Sequence, residues 1–206
     1  MAGAFLSFEG IDGSGKSTQA RLLADALRGL GHVVCLTREP GGSKGAEEIR
    51  RLVLEGEPDR WSTETELLLF TAARRDHLEK TIRPALARGE VVISDRFADS
   101  TRIYQGLTRG DLRDTVDRLH DLVIGCEPDL TVLIDIEPTL GLSRAVARAG
   151  KEMRFEDMGI AVQEKARAGF LALATAHPRF AVINGARTPE AVAADVLATA
   201  LAHLQP

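Results

Sequence analysis

Residues 10–17 read Gly10-Ile-Asp-Gly-Ser-Gly-Lys16-Ser17 and match the pattern G-x-x-x-x-G-K-[ST] in full. This octapeptide follows an apolar run that predicts a β-strand, and it precedes a helical pattern, as a phosphate-binding P-loop requires. Its glycines allow the backbone to fold around a phosphate, with successive N–H groups at the positive end of the helix. Lys16 is expected to reach the β- and γ-phosphates, and the Ser17 hydroxyl is expected to ligate Mg²⁺. The octapeptide therefore predicts a site for a nucleoside triphosphate.

Five short apolar runs alternate with helical patterns along the chain. The runs that predict strands are residues 4–9, 33–37, 91–95, 130–136 and 180–184. Nearly continuous hydrophobic strands are typical of a parallel sheet that is covered on both faces. The alternation predicts an α/β fold, a doubly wound five-stranded parallel sheet with helices on both faces.

Several helix starts are also marked in the sequence. Thr63 and Glu66 have the spacing of a capping box before a long helix. Pro138 and Pro189 stand where a first helical turn should begin, the latter after the expected N-cap residue Thr188.

Composition restricts the class of protein. The chain has 206 residues, 26 Lys+Arg against 30 Asp+Glu and a net charge of −4, so one domain over residues 1–206 is expected. The mild acidity argues against a nucleic-acid partner. No apolar run approaches the roughly 18 residues of a membrane span, and the first residues lack the pattern of a secretory signal. Cys35 and Cys126 fit no metal or disulfide spacing, so a reducing, cytoplasmic location is expected.

Two arginines follow predicted strands at the sheet edge where this fold binds ligands. Arg38 lies in Thr-Arg-Glu-Pro-Gly-Gly at 37–42, after the second strand, and Arg96 follows Asp95 at the end of the third. Both are expected beside the P-loop, where guanidinium groups can bind phosphate oxygens in a bidentate manner. The alternative is ordinary ion pairing with neighbouring carboxylates.

Phe70 and Arg74 lie four residues apart on one predicted helix and so share a face. A ring beside a donor suits a nucleobase, which needs a stacking platform and a hydrogen bond to an exocyclic oxygen. The alternative is that the apolar run 67–70 belongs to the core.

Residues 144–154, RAVARAGKEMR, form a basic stretch between two predicted helices. Basic runs are often only solvated surface turns. The other interpretation is a small mobile lid over about residues 144–155 that closes on the bound phosphates.

The P-loop alone does not specify the reaction. A GTPase would need an Asn-Lys-x-Asp segment, and the sole asparagine, Asn184, is followed by Gly185. A small kinase for another acceptor would share the P-loop and the lid. A nucleotide-binding regulator would need the P-loop but no second site lined by arginines.

Four segments together resemble one family. GIDGSGKST (10–18), TREPGG (37–42), DRF (95–97) and STRIYQG (100–106) stand in the order and spacing of the bacterial thymidylate (dTMP) kinases. The resemblance extends over nearly the whole chain, to GFLALA at 169–174. It implies a P-loop kinase fold with a mobile lid, a homodimer, and transfer of the γ-phosphate of ATP to dTMP with Mg²⁺.

The resemblance also implies roles for individual residues. Phe70 would stack on thymine, Arg74 would bind its O4, and Tyr104 would crowd the 2′ position. Asp12 and Asp95 would serve the sugar hydroxyl, the metal or the reacting phosphates. The expected dTMP site comprises Arg38, Phe70, Arg74, Arg96, Thr101, Tyr104 and Gln105.

The donor site and the chemistry involve further residues. The ATP phosphates would be held by Gly10, Ile11, Asp12, Gly13, Ser14, Gly15, Lys16, Ser17 and Thr18. The expected catalytic residues are Asp12, Lys16, Asp95, Arg96, Arg148 and Arg154. The expected metal ligands are Ser17 and Asp95, with Asp135 a weaker candidate because no basic residue follows it.

Some positions depart from the family pattern. Gly13 stands where part of the family has arginine, which resembles the subgroup whose lid arginines supply the catalytic charge. Arg154 matches an Arg-x-Glu pattern with Glu156. Phe97 replaces the usual tyrosine or histidine, and Val146 occupies a lid position that often holds arginine.

Overall fold

Five parallel strands form one sheet in the order β2-β3-β1-β4-β5. The computed structural model describes residues 3–56, 60–108, 110–148 and 159–204, apart from the side chains of residues 146–148. The strands are β1 Ala4–Glu9, β2 Val34–Arg38, β3 Val91–Asp95, β4 Leu130–Asp135 and β5 Phe180–Asn184. The predicted parallel sheet is confirmed, with the second strand displaced by one residue and the fourth one residue shorter.

Helices connect the strands and cover both faces of the sheet. They are α1 Lys16–Gly29, α2 Lys44–Leu54, α3 Thr63–His77, α4 Arg83–Ala87, α5 Ala98–Ile103, α6 Arg113–Leu119, α7 Pro138–Arg148, α8 Gly159–Ala176 and α9 Pro189–Leu204. The π-helical turns Leu78–Ile82, Tyr104–Thr108 and His120–Ile124 extend α3, α5 and α6. Within the described ranges, none of the helices has the length and apolar character that a membrane crossing needs.

The residues of β1 alternate between two layers of helices, as the period of a strand requires. Leu6 and Phe8 are buried in a core that α1 and α9 cover. Phe5 faces the other way and packs with Leu78 and Phe97 in a second core. This two-sided burial explains why the strand sequences are almost uniformly apolar.

The start of α3 differs from the predicted capping box. Ser62, not Thr63, is the N-cap residue, and its hydroxyl accepts a hydrogen bond from the backbone N–H of Thr65 at 3.1 Å. Glu66 turns inward, where its carboxylate accepts from the side-chain amide of Gln105 at 2.8 Å. The box was wrong because the N-cap lies one residue earlier, which places Thr65 and not Glu66 at the third helical position. The helix starts at Pro138 and Pro189 are confirmed.

Buried ion pairs fix the position of α5. The carboxylate of Asp99 is fully buried and pairs with Arg102 at 2.9 Å and with Arg179 at 2.7 Å. Arg102 also pairs with Glu127 at 2.5 Å. A buried carboxylate with two guanidinium partners ties α5 to the segments before β4 and β5, because loss of one partner would leave a buried charge unpaired.

We predict that Leu23→Ala lowers the free energy of unfolding by about 2–5 kcal/mol. Leu23 is 2% exposed in the core under α1, so its truncation removes buried apolar surface and leaves a cavity. The adjacent Leu22 is 38% exposed, and Leu22→Ala should cost less than about 1 kcal/mol. Urea denaturation of the two variants measures the difference, and equal losses would contradict the burial of this helix face.

Candidate active site

The P-loop connects β1 to α1 and packs against α7. A Cβ atom at Gly13, where φ is +74°, would lie 1.9 Å from the carbonyl oxygen of Gly141. In turn, a Cβ atom at Gly141 would lie 2.6 Å from the carbonyl oxygen of Asp12. The backbones of the loop and α7 therefore touch, and no side chain fits at position 13. This contact gives a local structural reason for glycine at that position.

A cleft of about 820 Å³ opens in front of the P-loop. Of the nine residues expected at the donor phosphates, the cleft is lined by Asp12, Gly13, Gly15, Lys16 and Ser17. The side chain of Ile11 is buried in the core with Leu133, so only its backbone can serve a ligand. Ser14 is buried as well, and its hydroxyl has no hydrogen-bond partner among the described residues.

Lys16 is a buried cation in this cleft. Its Nζ donates to the carbonyl of Ile11 at 3.2 Å and lies 3.8 Å from Oδ1 of Asp12. Burial, together with the positive charge of Arg96, lowers the pKa of Lys16 to about 8. An anionic group at Nζ would raise this pKa again and stabilise the charged form, which suits a phosphate.

Arg96 has a left-handed backbone conformation, with φ +72°. Such a conformation is costly for a residue with a side chain and persists where neighbouring groups hold it. The N–H of Arg96 donates to the carbonyl of Phe8 at 2.9 Å, and the hydroxyl of Ser94 donates to the carbonyl of Arg96 at 2.7 Å. Both backbone groups of Arg96 are thus fixed by the sheet.

The guanidinium of Arg96 connects several predicted site residues. It donates to Oδ1 of Asp12 at 2.6 Å and to the hydroxyl of Ser100 at 2.8 Å. It also lies over the ring of Tyr104, 5.3 Å from the ring centroid. The hydroxyl of Tyr104 is buried, which raises its pKa, and it has no hydrogen-bond partner among the described residues.

Asp95 and Arg38 also line the cleft. They are register partners on β3 and β2. Oδ1 of Asp95 is buried without a hydrogen-bond partner in the described part of the chain. Arg38 is half-exposed and forms an ion pair with Glu47 of α2 at 3.3 Å. The two predicted arginines therefore face one cleft, and Arg38 also has an ordinary ion-pair partner.

A second, smaller cavity of about 180 Å³ adjoins the cleft. The sequence-predicted residues that line it are Phe70, Arg74, Arg96, Thr101, Tyr104 and Gln105. Phe70 is half-buried, whereas Leu67 on the same helix is 1% exposed. The ring therefore faces a cavity while the leucine packs in the interior.

Arg74 is fixed at the wall of this cavity. Its Nε donates to Glu39 at 2.7 Å, and its Nη2 donates to the carbonyl of Phe97 at 3.2 Å and to Oγ1 of Thr101 at 2.9 Å. A guanidinium held at two of its nitrogens presents its remaining donors in one plane.

The two cavities share part of their lining. Asp12, Glu39, Arg50 and Arg96 belong to both. The Asp12–Arg96 ion pair therefore lies at the junction of a phosphate-binding loop and a cavity that has an aromatic wall. Two ligands bound side by side would meet at this pair.

Two residues of the site, Arg50 and Glu9, were not predicted from the sequence. Arg50 of α2 lines both cavities and donates to the carbonyl of Pro40 at 2.6 Å. Its spacing of three from Glu47, which places both on one helix face, was the available signal. Glu9 was missed although it ends β1 directly before the P-loop.

Glu9, the last residue of β1, is a buried carboxylate that caps the N-terminus of α5. It accepts hydrogen bonds from the backbone N–H of Phe97 at 2.8 Å, and from the N–H and hydroxyl of Ser100 at 3.2 and 2.6 Å. Phe97 is the N-cap residue of α5 and has no capping side chain. Burial, reinforced by the charge of Asp99, raises the pKa of Glu9 to about 7.

The predicted lid, residues 144–155, falls largely outside the described residues. Arg154 lies beyond them, and of Arg148 only the backbone in α7 is described. Arg144 donates to the carbonyl of Gly185 at 3.0 Å. After the undescribed segment, Gln163 of α8 donates to Oδ2 of Asp12 at 3.3 Å, so α8 contacts the P-loop.

Asp135, the weaker metal candidate, is engaged elsewhere. Its two carboxylate oxygens accept from Nε and Nη2 of Arg167 at 2.7 and 2.9 Å. This bidentate pair uses both oxygens, while Asp95 keeps a buried oxygen without a hydrogen-bond partner among the described residues.

We predict that Glu9→Gln reduces the pH dependence of folding stability. The folded protein keeps a proton on Glu9 up to about pH 7, whereas the unfolded chain releases it near 4.5. The resulting stabilisation is complete below about pH 4.5 and is lost as the pH rises through about 7. From about pH 5 to about pH 8, the unfolding free energy of the wild type should therefore fall relative to that of the variant. Urea unfolding at both pH values measures this, and a constant difference would show that Glu9 does not titrate in that range.

Comparisons with known proteins agree with this geometry. Residues 8–196 match the sequence model of the family described as thymidylate kinase. A thymidylate kinase of Ruegeria pomeroyi is 70% identical over 203 residues, which cover 98% of this chain and 96% of the relative. A thymidylate kinase of Geobacter sulfurreducens is 47% identical over 205 residues, which cover 95% of this chain and 96% of the relative.

A solved structure shows the same relationship in three dimensions. The crystal structure of thymidylate kinase from Ehrlichia chaffeensis superposes with a TM-score of 0.78 at 35% identity, covering 98% of this chain and 99% of the other. The predicted resemblance is confirmed, and the chain belongs to the thymidylate kinase family.

Proposed function

We propose that this protein transfers the γ-phosphate of ATP to dTMP, giving ADP and dTDP for dTTP synthesis. The observation that carries the proposal is the junction of two cavities at Asp12 and Arg96. One cavity has the phosphate-binding loop, and the other has an aromatic wall with a fixed guanidinium. This arrangement suits a donor and an acceptor whose phosphates meet.

The P-loop cleft is the proposed site of ATP. The backbone N–H groups of residues 10–18 would surround the phosphates, and Lys16 would reach the β- and γ-phosphates. Because the pKa of Lys16 is lowered to about 8 in the free protein, phosphate binding would stabilise its charged form.

Ser17 and Asp95 fit a Mg²⁺ ion. Both line the cleft, and the buried Oδ1 of Asp95 lacks a hydrogen-bond partner among the described residues. When bound, the ion would neutralise part of the negative charge of the phosphates. The described residues contain no group of three or more His, Cys, Asp or Glu that could hold a metal. Mg²⁺ at such sites takes most of its ligands from phosphate and water.

The smaller cavity is the proposed site of dTMP. Phe70 would stack on the thymine ring, and Arg74 would donate to O4. Arg38 and Arg96 would hold the acceptor phosphate, and Tyr104, below Arg96, would leave no room for a 2′ hydroxyl. Thr101 and Gln105, which also line the cavity, would lie near the base and sugar.

The acceptor phosphate does not require a strong general base. A nucleoside monophosphate has a second pKa near about 6, so at pH 7 its phosphate is largely dianionic and already nucleophilic. The obstacle is repulsion between two anions. Lys16, Arg96 and the lid arginines Arg148 and Arg154 would offset it, while Asp12 orients Arg96 at 2.6 Å.

The wider organisation follows the family. The chain would act as one domain over residues 1–206, with residues 144–155 as a lid that excludes water when both substrates are bound. It would form a homodimer. The free thiols of Cys35 and Cys126 fit a reducing, cytoplasmic compartment.

A coupled ADP assay tests the proposed activity. With Mg²⁺ and ATP, the protein should turn over dTMP faster than AMP, dCMP or shikimate, and dTDP should form in equal amount to ADP. Sustained turnover of one of the other acceptors without turnover of dTMP would refute the proposal.

We predict that Lys16→Ala lowers kcat by roughly a thousandfold or more, because Lys16 neutralises charge that develops on the transferred phosphoryl group. The dissociation constant of dTMP should change little, since its site is separate. Lys80→Ala, at an exposed lysine, should keep wild-type kcat. Steady-state kinetics with calorimetric dTMP binding measures both effects, and near wild-type kcat in Lys16→Ala would exclude the P-loop role.

We predict that Phe70→Ala weakens dTMP binding by roughly 1–3 kcal/mol, the value of one lost base stack. ATP binding should be nearly unchanged. Phe180→Ala provides a matched aromatic truncation at a half-buried position of β5 outside the cavity lining, and it should lower stability without weakening dTMP binding. Equal losses of ATP and dTMP affinity in Phe70→Ala would instead indicate a core residue.

A further inference from the structure

Behind Arg74, buried polar side chains form a continuous chain of hydrogen bonds. Nε of Arg74 lies 2.7 Å from Oε2 of Glu39. Oε1 of Glu39 lies 3.0 Å from Nδ1 of His77, and Nε2 of His77 lies 2.7 Å from Oγ1 of Thr37. His77 is 0% exposed and lines neither cavity, so it contacts no substrate.

The charge on Glu39 fixes the direction of the hydrogen bonds on both of its oxygens. Burial acts to raise the pKa of Glu39, but the Arg74 charge and the His77 hydrogen bond outweigh it and hold that pKa below its ordinary value. An ionised carboxylate only accepts, so Nδ1 of His77 carries the proton toward Glu39. Nε2 of the ring lies within hydrogen-bond distance of the Thr37 hydroxyl, which can donate to that nitrogen or accept from it.

The loop 37–42 is built around the His77 ring. A Cβ atom at Gly42 would lie 2.4 Å from both Nε2 of His77 and Oγ1 of Thr37. The hydroxyl of Thr81 donates to the carbonyl of Gly42 at 2.7 Å, which holds the loop against α3 and its extension. Thr37, Glu39 and Gly42 of one short motif thus meet on one imidazole.

The consequence of this packing falls on Arg74. Its long side chain could adopt many rotamers, and its pairing with Glu39 selects one of them. Glu39 is itself oriented by His77, because its second oxygen accepts from that ring. A donor fixed in this way favours a base with an oxygen at the facing position and disfavours one with an amino group there.

We infer that His77 is a positioning residue that holds Glu39, and through it Arg74, in the geometry that selects a pyrimidine monophosphate with oxygen at C4 over one with an amino group. The inference rests on the proposed function, because it assigns the base to the cavity at Arg74. It adds that His77, which lines neither cavity, sets the selectivity of the cavity through Glu39 and Arg74.

The test compares two substitutions of one ring. In His77→Asn, the amide N–H₂ takes the place of Nδ1 and can still donate to Glu39. In His77→Gln, the longer amide reaches toward Thr37, and the bond to Glu39 is lost. Thr37→Val replaces the hydroxyl with a methyl group of similar shape, so it removes the hydrogen bond to Nε2 and leaves that buried nitrogen without this partner.

The readouts are the KM of dTMP, the KM of ATP, kcat and the Ki of dCMP as a competitor of dTMP. In His77→Gln the ratio of the dCMP Ki to the dTMP KM should fall roughly tenfold, with kcat and the KM of ATP within about twofold of wild type. Thr37→Val should lower the ratio by a smaller factor, and His77→Asn should stay nearest to wild type. A general loss of structure would move both KM values together.

Each outcome decides the inference. An unchanged ratio in folded His77→Gln, or a parallel rise in both KM values, overturns it while the proposed function stands. If His77→Gln does not fold, the ratio in Thr37→Val decides in the same way. Wild-type protein that does not turn over dTMP overturns the proposed function and this inference together.

Discussion

The ion pair between Asp12 and Arg96 joins the two halves of the site. Asp12 belongs to the P-loop after β1, and Arg96 follows β3, which neighbours β1 in the sheet. The pair exists because Arg96 takes a left-handed conformation that turns its side chain toward the loop. That conformation is held by hydrogen bonds to Phe8 and Ser94 of the adjacent strands. The position of the smaller cavity relative to the P-loop therefore depends on the register of two parallel strands.

The buried carboxylates around the site differ in ionisation and in structural role, because their partners differ. Glu39 lies between a guanidinium and an imidazole and stays ionised, whereas Glu9 accepts mainly from neutral N–H and O–H groups and has a raised pKa. Asp99 carries the buried ion pairs that anchor α5. Glu39 holds Arg74 of α3, Glu9 and Asp99 hold α5, and both helices line the smaller cavity. Rigid walls of this kind reduce the cost of orienting a substrate.

Much of this organisation could be predicted from local sequence. The apolar runs predicted the five strands, and one motif predicted the P-loop. The rule that ligands bind at the carboxyl ends of parallel strands predicted that Arg38 and Arg96 line one cleft. The capping box failed because the N-cap is Ser62, one residue before the predicted position, and Glu66 accepts from Gln105, 39 residues away. Glu9 and His77 carry no local pattern, since their partners come from other segments of the chain, and the helical spacing of Arg50 from Glu47 was the one local signal for Arg50. The roles of Arg148 and Arg154 remain predictions, because their side chains lie outside the described residues.

The contact between Gly13 and Gly141 has a consequence for how this sequence can evolve. An arginine cannot enter the P-loop at position 13 by one substitution, because its Cβ would meet the α7 backbone at 1.9 Å. A change that placed the catalytic charge in the loop, and not in the proposed lid, would also have to displace α7, which leads into that segment. The two arrangements of charge are therefore separated by a step that requires coordinated changes in the loop and in α7.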